Sequence, residues 1–191
     1  MLKESLSDEK LVEGYIKGDE QALEEIVRRY ISTIYGFSRL YVGDLDKAAD
    51  ITQEVFVKAW RNIEKFDVKK NFKSWIFAIA KNTAIDWLRK SKDTPFSLLD
   101  GRLAEEIQLH DVSGSFSTED LLDKRYAEEK VRLAVKELPE HYRQVVALHN
   151  EEQLTFREIT EVLKEPVNTL KSRYRRALQL IKKGLGNAYP T

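Results

Sequence analysis

The sequence predicts an all-α fold of two small helical domains joined by a flexible acidic linker, and three observations carry that prediction. Only eight Gly and four Pro punctuate 191 residues, which suits long helices with few turns. Apolar residues recur at intervals of three and four on both sides of the chain's middle, the period of a helix with one buried face. Between them, "TPFSLLDGRLAEEIQLHDVSGSFSTEDLLD" loses that period and accumulates Ser, Asp, Gly and Thr. The expected division is 1–94, 95–123 and 124–191.

In the first part, Leu11, Val12, Tyr15 and Ile16 form one stripe, ended by Gly18 as a left-handed cap. Asp19 caps the next helix, whose buried side is expected to hold Ala22, Leu23, Ile26, Val27, Tyr30, Ile31 and Ile34. Gly43-Asp44 breaks the chain again. A third helix follows, with Ala48, Ile51, Val55, Ala59 and Ile63 along one side, then the loop "KFDVKKN". The helix after it, "FKSWIFAIAKNTAIDWLRKSK", projects Phe72, Trp75, Ile76, Ile79, Ala80, Ala84 and Trp87 onto a broad apolar arc. Ser74, Lys81, Asn82, Ile85 and Arg89 fall on a narrow opposite strip.

In the second part, Val131, Ala134, Val135 and Leu138 mark a helix, and Pro139 opens another that buries Tyr142, Val145, Val146 and Leu148. Thr155 and Glu158 form a capping box ahead of an apolar run. "KEPVNT" is a short turn, Asn168 is placed to cap the helix that follows, and that helix closes at Gly184 or Gly186. Leu170, Ala177, Leu178 and Ile181 are expected to face inward.

Composition narrows the function. With no cysteine there is no disulfide, thiolate metal site or cysteine nucleophile. His110, His141 and His149 are scattered without metal-ligand spacing, and no phosphate-cradling glycine loop occurs. No catalytic residue, metal or cofactor is therefore assigned, and the chain is not expected to be an enzyme. "MLKESLSDEK" lacks the apolar stretch of a signal peptide and no run is long enough to span a bilayer, so a cytoplasmic protein without membrane insertion is expected. The net charge is zero but unevenly placed: residues 1–64 carry −4, 65–92 carry +6, 93–123 carry −7 and 124–191 carry +5. Two basic blocks either face polyanions or simply decorate solvated surfaces.

The segment "LTFREITEVLKEPVNTLKSRYRRALQLI" weighs toward the first reading for the second block. A capped helix, a tight turn and a cation-rich second helix make a helix-turn-helix pattern, in which Thr169, Lys171, Ser172, Arg173, Arg175 and Arg176 supply donors for phosphates and base edges. Thr155, Arg157 and Asn168 complete the candidate set. The segment resembles region 4 of the extracytoplasmic-function (ECF) sigma factors, a group of the sigma-70 family. The family's "LP-x-x-x-R-x-V", "L-[ST]-x-x-E-I-A-x-x-L" and "P-x-G-T-[VL]-K-S-R" are matched by Leu138, Pro139, Arg143 and Val145, then Leu154, Thr155, Glu158, Ile159 and Leu163. Pro166, Thr169, Leu170, Lys171, Ser172 and Arg173 complete the match. Thr160 replaces the usual Ala, Lys164 the turn Gly, Glu165 an apolar residue and Asn168 the Gly before Thr.

The first part is similar to region 2 of the same family. "DITQEVFVKAW" matches its Asp-x-x-Gln-Glu-x-Phe-x-x-x-Trp helix, and Phe72, Trp75, Ile79, Ala80, Asn82, Asp86 and Arg89 stand in register with its next motif. The resemblance implies that Asp50, Gln53 and Glu54 contact the clamp helices of core RNA polymerase, with Phe56 and Trp60 either joining them or serving the core. It implies a −10 promoter DNA surface of Phe66, Lys69, Lys70 and Asn71 in the loop and Lys81, Asn82, Arg89 and Lys90 on the helix. A flipped base would be held there by stacking and edge hydrogen bonds, with cations on the backbone. It further implies a −35 surface on the helix-turn-helix, contact with the polymerase flap, and an anti-sigma factor as a further partner. The acidic linker would thread the polymerase channel or merely tether the domains. The alternatives are a free-standing helix-turn-helix regulator and a purely protein-binding helical module.

Overall fold

The computed structural model describes residues 6–91 and 130–186, all of its regular structure helical. The expectations for the linker lie outside these residues.

Local chemistry sets each helix boundary in the first half. The Ser7 side chain accepts from Lys10 N and starts α1 (Asp8–Ile16). Gly18, at φ 98°, turns the chain, and Asp19 accepts from Gln21 N at 3.1 Å to open α2 (Glu20–Val42). Gly43 closes α2 at φ 65°, where glycine pays no Cβ penalty. Asp44 then caps α3 (Leu45–Asn62) by accepting from Lys47 N at 3.0 Å. That bond holds the Asp44 carboxyl below its usual pKa, with smaller help from the Lys47 charge. A short 3-10 turn (Ile63–Lys65) leads to the loop before α4 (Phe72–Ser91). Two side chains cap α4: Asn71 Oδ1 accepts from Ser74 N at 2.8 Å, and Glu9 Oε1 accepts from Phe72 N at 3.1 Å.

Helices α1 to α4 enclose one aromatic-rich core. Phe37 and Phe77 meet edge to face at 5.0 Å, Tyr30 and Phe72 at 5.5 Å. The expected stripes of α2 and α3 are buried, except that Leu23 and Val27 are half-buried and Ile31 is 47% exposed; Ile16 of α1 is exposed to the same degree as Ile31. Both lie at the margin of their stripe. The polar strip expected on α4 does not survive packing: Ser74 is fully buried and bonded to Asn71, and Ile85 packs against the core.

In the second half, residues 130–136 are helical (α5), followed by α6 (Glu140–Val146), a π-helical turn (Ala147–Glu151), α7 (Phe156–Leu163) and α8 (Val167–Gly186). Pro139 sits at the N-cap of α6. The capping box opens α7, with Thr155 accepting from Glu158 N and Glu158 Oε2 accepting from Thr155 N at 2.7 Å. Lys164 ends α7 at φ 58°, so a lysine adopts the left-handed conformation usually left to glycine. Asn168 does not cap α8. The helix begins one residue earlier, Leu170 N reaches back to Pro166 O, and Asn168 lies in the first turn. Leu138, Val146 and Ala177 pack as a small cluster between α6 and α8, while Leu178 stays 42% exposed and Val131 43%.

The main apolar cluster does not stop at the border between the halves. It runs from α1 through α4 into Val145, Leu148, Leu154, Ile159, Val162, Leu163 and Leu170. Helix α4 therefore packs against α2 and α3 on one side and α7 on another.

Candidate nucleic-acid and polymerase interfaces

Helix α3 turns its buried side to α2 and α4, which leaves Asp50, Gln53 and Glu54 exposed on its outer side. Leu45 and Val57 are 50% and 46% exposed on the same helix. Phe56 is buried, and Trp60 is partly buried between Phe56 at 5.9 Å and Tyr15 at 6.0 Å. These two aromatics serve the core, and the polar residues with two aliphatic neighbours make up the surface.

The loop before α4 divides in a similar way. Lys69 and Lys70 are exposed on a turn made by Asp67, whose carboxylate accepts from Lys69 N and whose carbonyl accepts from Lys70 N. Phe66, expected to face a base, is only 6% exposed, with Phe72 at 5.5 Å and Trp75 at 5.1 Å. A phenyl ring so close to Phe72 gains more from the core than from water. Asn71 is exposed, but its carboxamide oxygen is committed to Ser74.

On α4, the residues expected to share a strip separate. Asn82 is exposed and lines an open cavity of about 490 Å³ together with Lys58, Asn62, Lys65, Trp75 and Thr83. Lys58 is held at this cavity, with its ammonium 2.8 Å from Glu54 and 3.2 Å from Thr83 Oγ1. Lys58, Asn62 and Lys65 were missed from the sequence, although their spacing of four and three puts them on one side of a helix. Arg89 and Lys90 are exposed at the C-terminal end of α4. Lys81 points elsewhere: its ammonium donates to Leu163 O, the last carbonyl of α7, at 2.8 Å. Burial lowers the Lys81 pKa, with Glu165 opposing and Lys164 adding to the shift.

Helix α8 presents the clearest cationic face. Leu170 and Ala177 are buried, Tyr174 and Ile181 are half-buried on the same side, and Lys171, Arg175 and Arg176 are exposed. Arg173 is held by Glu165 Oε1 at 2.6 Å across the turn, and Ser172 Oγ donates to Thr169 O. Arg157 and Asn168 are exposed near the turn. Thr155 is spent on the capping box. Sequence spacing also missed the support of this unit: His149 stacks on Phe156 at 4.5 Å and meets Tyr174 edge-on at 4.8 Å, locking the π-helical turn to α7 and α8. Among the described residues, no group of His, Asp or Glu could hold a metal, and no helix is long and apolar enough to cross a membrane.

Comparison with known proteins gives two family matches in order along the chain. Residues 26–94 match the family model "Sigma-70 region 2" and residues 128–181 match "Sigma-70, region 4". The ECF RNA polymerase sigma factor SigW of Bacillus subtilis is 33% identical over 92% of this chain and 95% of its own. The ECF RNA polymerase sigma-E factor of Haemophilus influenzae is 32% identical over 94% and 96%. In fold, the chain is similar to CnrH in its complex with the cytosolic domain of CnrY, with a TM-score of 0.64 and 20% identity. That likeness covers 95% of this chain and 99% of CnrH. It is also similar to RpoE of Bartonella quintana in complex with the anti-sigma factor NepR, with a TM-score of 0.63, 22% identity and coverage of 86% and 96%. A free-standing regulator would not carry region 2. With both regions in order and relatives a third identical along nearly its whole length, the chain belongs to the ECF sigma factors of the sigma-70 family, which bind core RNA polymerase and direct it to promoter DNA.

Proposed function

We propose a division of labour in which residues 1–94 dock on core polymerase and open the −10 element, 95–123 join the halves, and 124–191 read the −35 element. The observation that carries this reading is the cavity beside Asn82. It is wide enough for one unstacked base, offers an aromatic wall in Trp75 and a carboxamide for the base edge, and is rimmed by Lys58 and Lys65. Lys69, Lys70, Arg89 and Lys90 extend the positive surface along the strand's path. Asp50, Gln53 and Glu54, with exposed Leu45 and Val57 on the same helix, are suited to a protein partner.

On α8, Arg173 and Arg176 are assigned to base edges, and Lys171, Ser172 and Arg175 to phosphates. The chain supplies specificity without catalysing a reaction and works in the cytoplasm, and an anti-sigma factor is a further partner on the family resemblance. Run-off transcription with purified core polymerase, this chain and a promoter-fragment library tests the whole reading. Initiation at a defined subset is expected, and it should be reduced by Asn82→Ala and by Arg173→Ala on different promoter positions. Failure to initiate on any fragment would sink it.

A further inference from the structure

We infer that Glu165 is a specificity-determining residue: from the turn of the helix-turn-helix it holds Arg173 as a base-reading fork and keeps it from serving as a mobile phosphate clamp. This rests on the proposed reading of α8 as the −35 reader, with Arg173 at a base edge.

Long side chains on a helix lean toward its N-terminus, so Arg173 is aimed back at the turn that precedes α8. Glu165 stands in that turn, two residues before α8 begins, and its Oε1 accepts from Arg173 Nη1 at 2.6 Å. The carboxylate is held in place from both sides. Lys164 before it takes the left-handed conformation that ends α7, and Pro166 after it restricts the Glu165 backbone to extended shapes. The side chains of Arg173 and Glu165 are 26% and 31% exposed, so the pair is partly sheltered from the water that weakens surface pairs. Among the described residues, Lys171, Arg175 and Arg176 of the same helix meet no carboxylate at ion-pair distance. An apolar residue occupies the position of Glu165 in the family pattern, so this chain adds the pair to the motif.

The geometry favours a base over a phosphate. The bond uses Arg173 Nη1 alone, which leaves Nε and Nη2 as the paired donors that fit O6 and N7 of guanine. Reading such a pair demands a guanidinium fixed in direction, and Glu165 removes in advance much of the freedom that Arg173 would otherwise lose on binding. A phosphate makes no such demand: it attracts any mobile cation, and each cation it engages releases counterions. With a carboxylate beside it, Arg173 gains less from phosphate charge and keeps its directional donors. Removing Glu165 therefore exchanges selectivity for indiscriminate attraction.

To test this, a promoter fragment that supports run-off initiation is rebuilt with its −35 segment randomised. Holoenzyme assembled from core polymerase and the full chain selects from this pool, and the bound fraction is sequenced. Arg173→Ala is expected to reduce the base preference at one −35 position by about fivefold or more. Glu165→Ala should reduce the preference at that same position. It should also tighten binding to promoter-free duplex and steepen the logarithmic salt dependence of that binding by about one. The double variant should lose no more selectivity than Arg173→Ala alone, because Glu165 acts through Arg173. Glu165→Gln keeps an acceptor for Arg173 without the charge and should recover part of the preference, and urea unfolding of each variant reports any change in folding. If Glu165→Ala leaves the preference intact where Arg173→Ala removes it, the inference falls and the base-reading assignment stands. If Arg173→Ala alters no position, the assignment falls and the inference with it. A lost preference that Glu165→Gln does not restore, accompanied by weaker folding, would make Glu165 a structural residue of the turn and overturn the inference.

Discussion

Helices α4 and α8 are both twenty residues long and rich in cations, yet they sit in opposite surroundings. Helix α4 buries Phe72, Ser74, Ile76, Phe77, Ala80, Thr83 and Ala84, whereas α8 buries only Leu170 and Ala177. Neighbours on several sides leave α4 one open edge, and the cavity there is lined in part by Lys58 and Lys65 from outside α4. Helix α8 rests on its support by one narrow stripe and keeps a continuous cationic face. On the proposed division of labour this contrast fits, since a helix that helps open a duplex has to be held rigidly, while one that enters a major groove must stand clear of its own protein. The same contrast says where a substitution should cost stability and where it should cost binding.

The largest expected effect is on α4. Phe77→Ala removes a fully buried ring at 5.0 Å from Phe37 and should cost about 3–5 kcal/mol in urea unfolding. Arg175→Ala on exposed α8 should stay within about 0.5 kcal/mol in the same measurement. Equal losses at the two sites would break the comparison. Next comes Arg173→Ala, expected to weaken −35-dependent binding by about 1–3 kcal/mol if the side chain reads a base; a smaller loss, uniform across sequences, would reassign it to phosphate.

Smaller again, Asp44→Ala should lower stability by about 1 kcal/mol through loss of the α3 cap. The pH dependence has a definite sign. The folded pKa of Asp44 lies below its unfolded value, so its contribution is present above the carboxylate range and fades as pH falls through that range. An undiminished difference between Asp44→Ala and the unaltered chain in strong acid would contradict the ionised cap. The smallest change is a gain: Lys164→Gly relieves a left-handed lysine and should raise stability by up to about 1 kcal/mol in thermal unfolding.

The helices were legible in the sequence because their signals are local. Gly18, Asp19, Gly43, Asp44 and the Thr155–Glu158 box act within four residues of themselves, and each stands where its spacing put it. The π-helical turn was not legible, since it depends on His149 meeting Phe156 and Tyr174 from two other elements. The candidate sites were legible as residue types and only partly as surfaces. Asn82 and Arg89 face solvent as a helical projection suggests, but Phe66 and Ser74 are buried, and Lys58, Asn62 and Lys65 come from α3 and the 3-10 turn after it, which no projection of α4 contains.

Sequence alone determined the all-helical class, the two motif blocks, the caps at Asp19 and Thr155 and the cationic helix of the second half, all of which follow from periodicity and from hydrogen bonds between near neighbours. Only the tertiary structure decided which cations are free. Lys81 reads as a DNA-facing cation and Lys73 as a helix-surface lysine until α7 and Glu152 are brought against them. The energy of an ammonium depends on what lies within a few ångströms in space, and residues some eighty positions away in the chain provide it here.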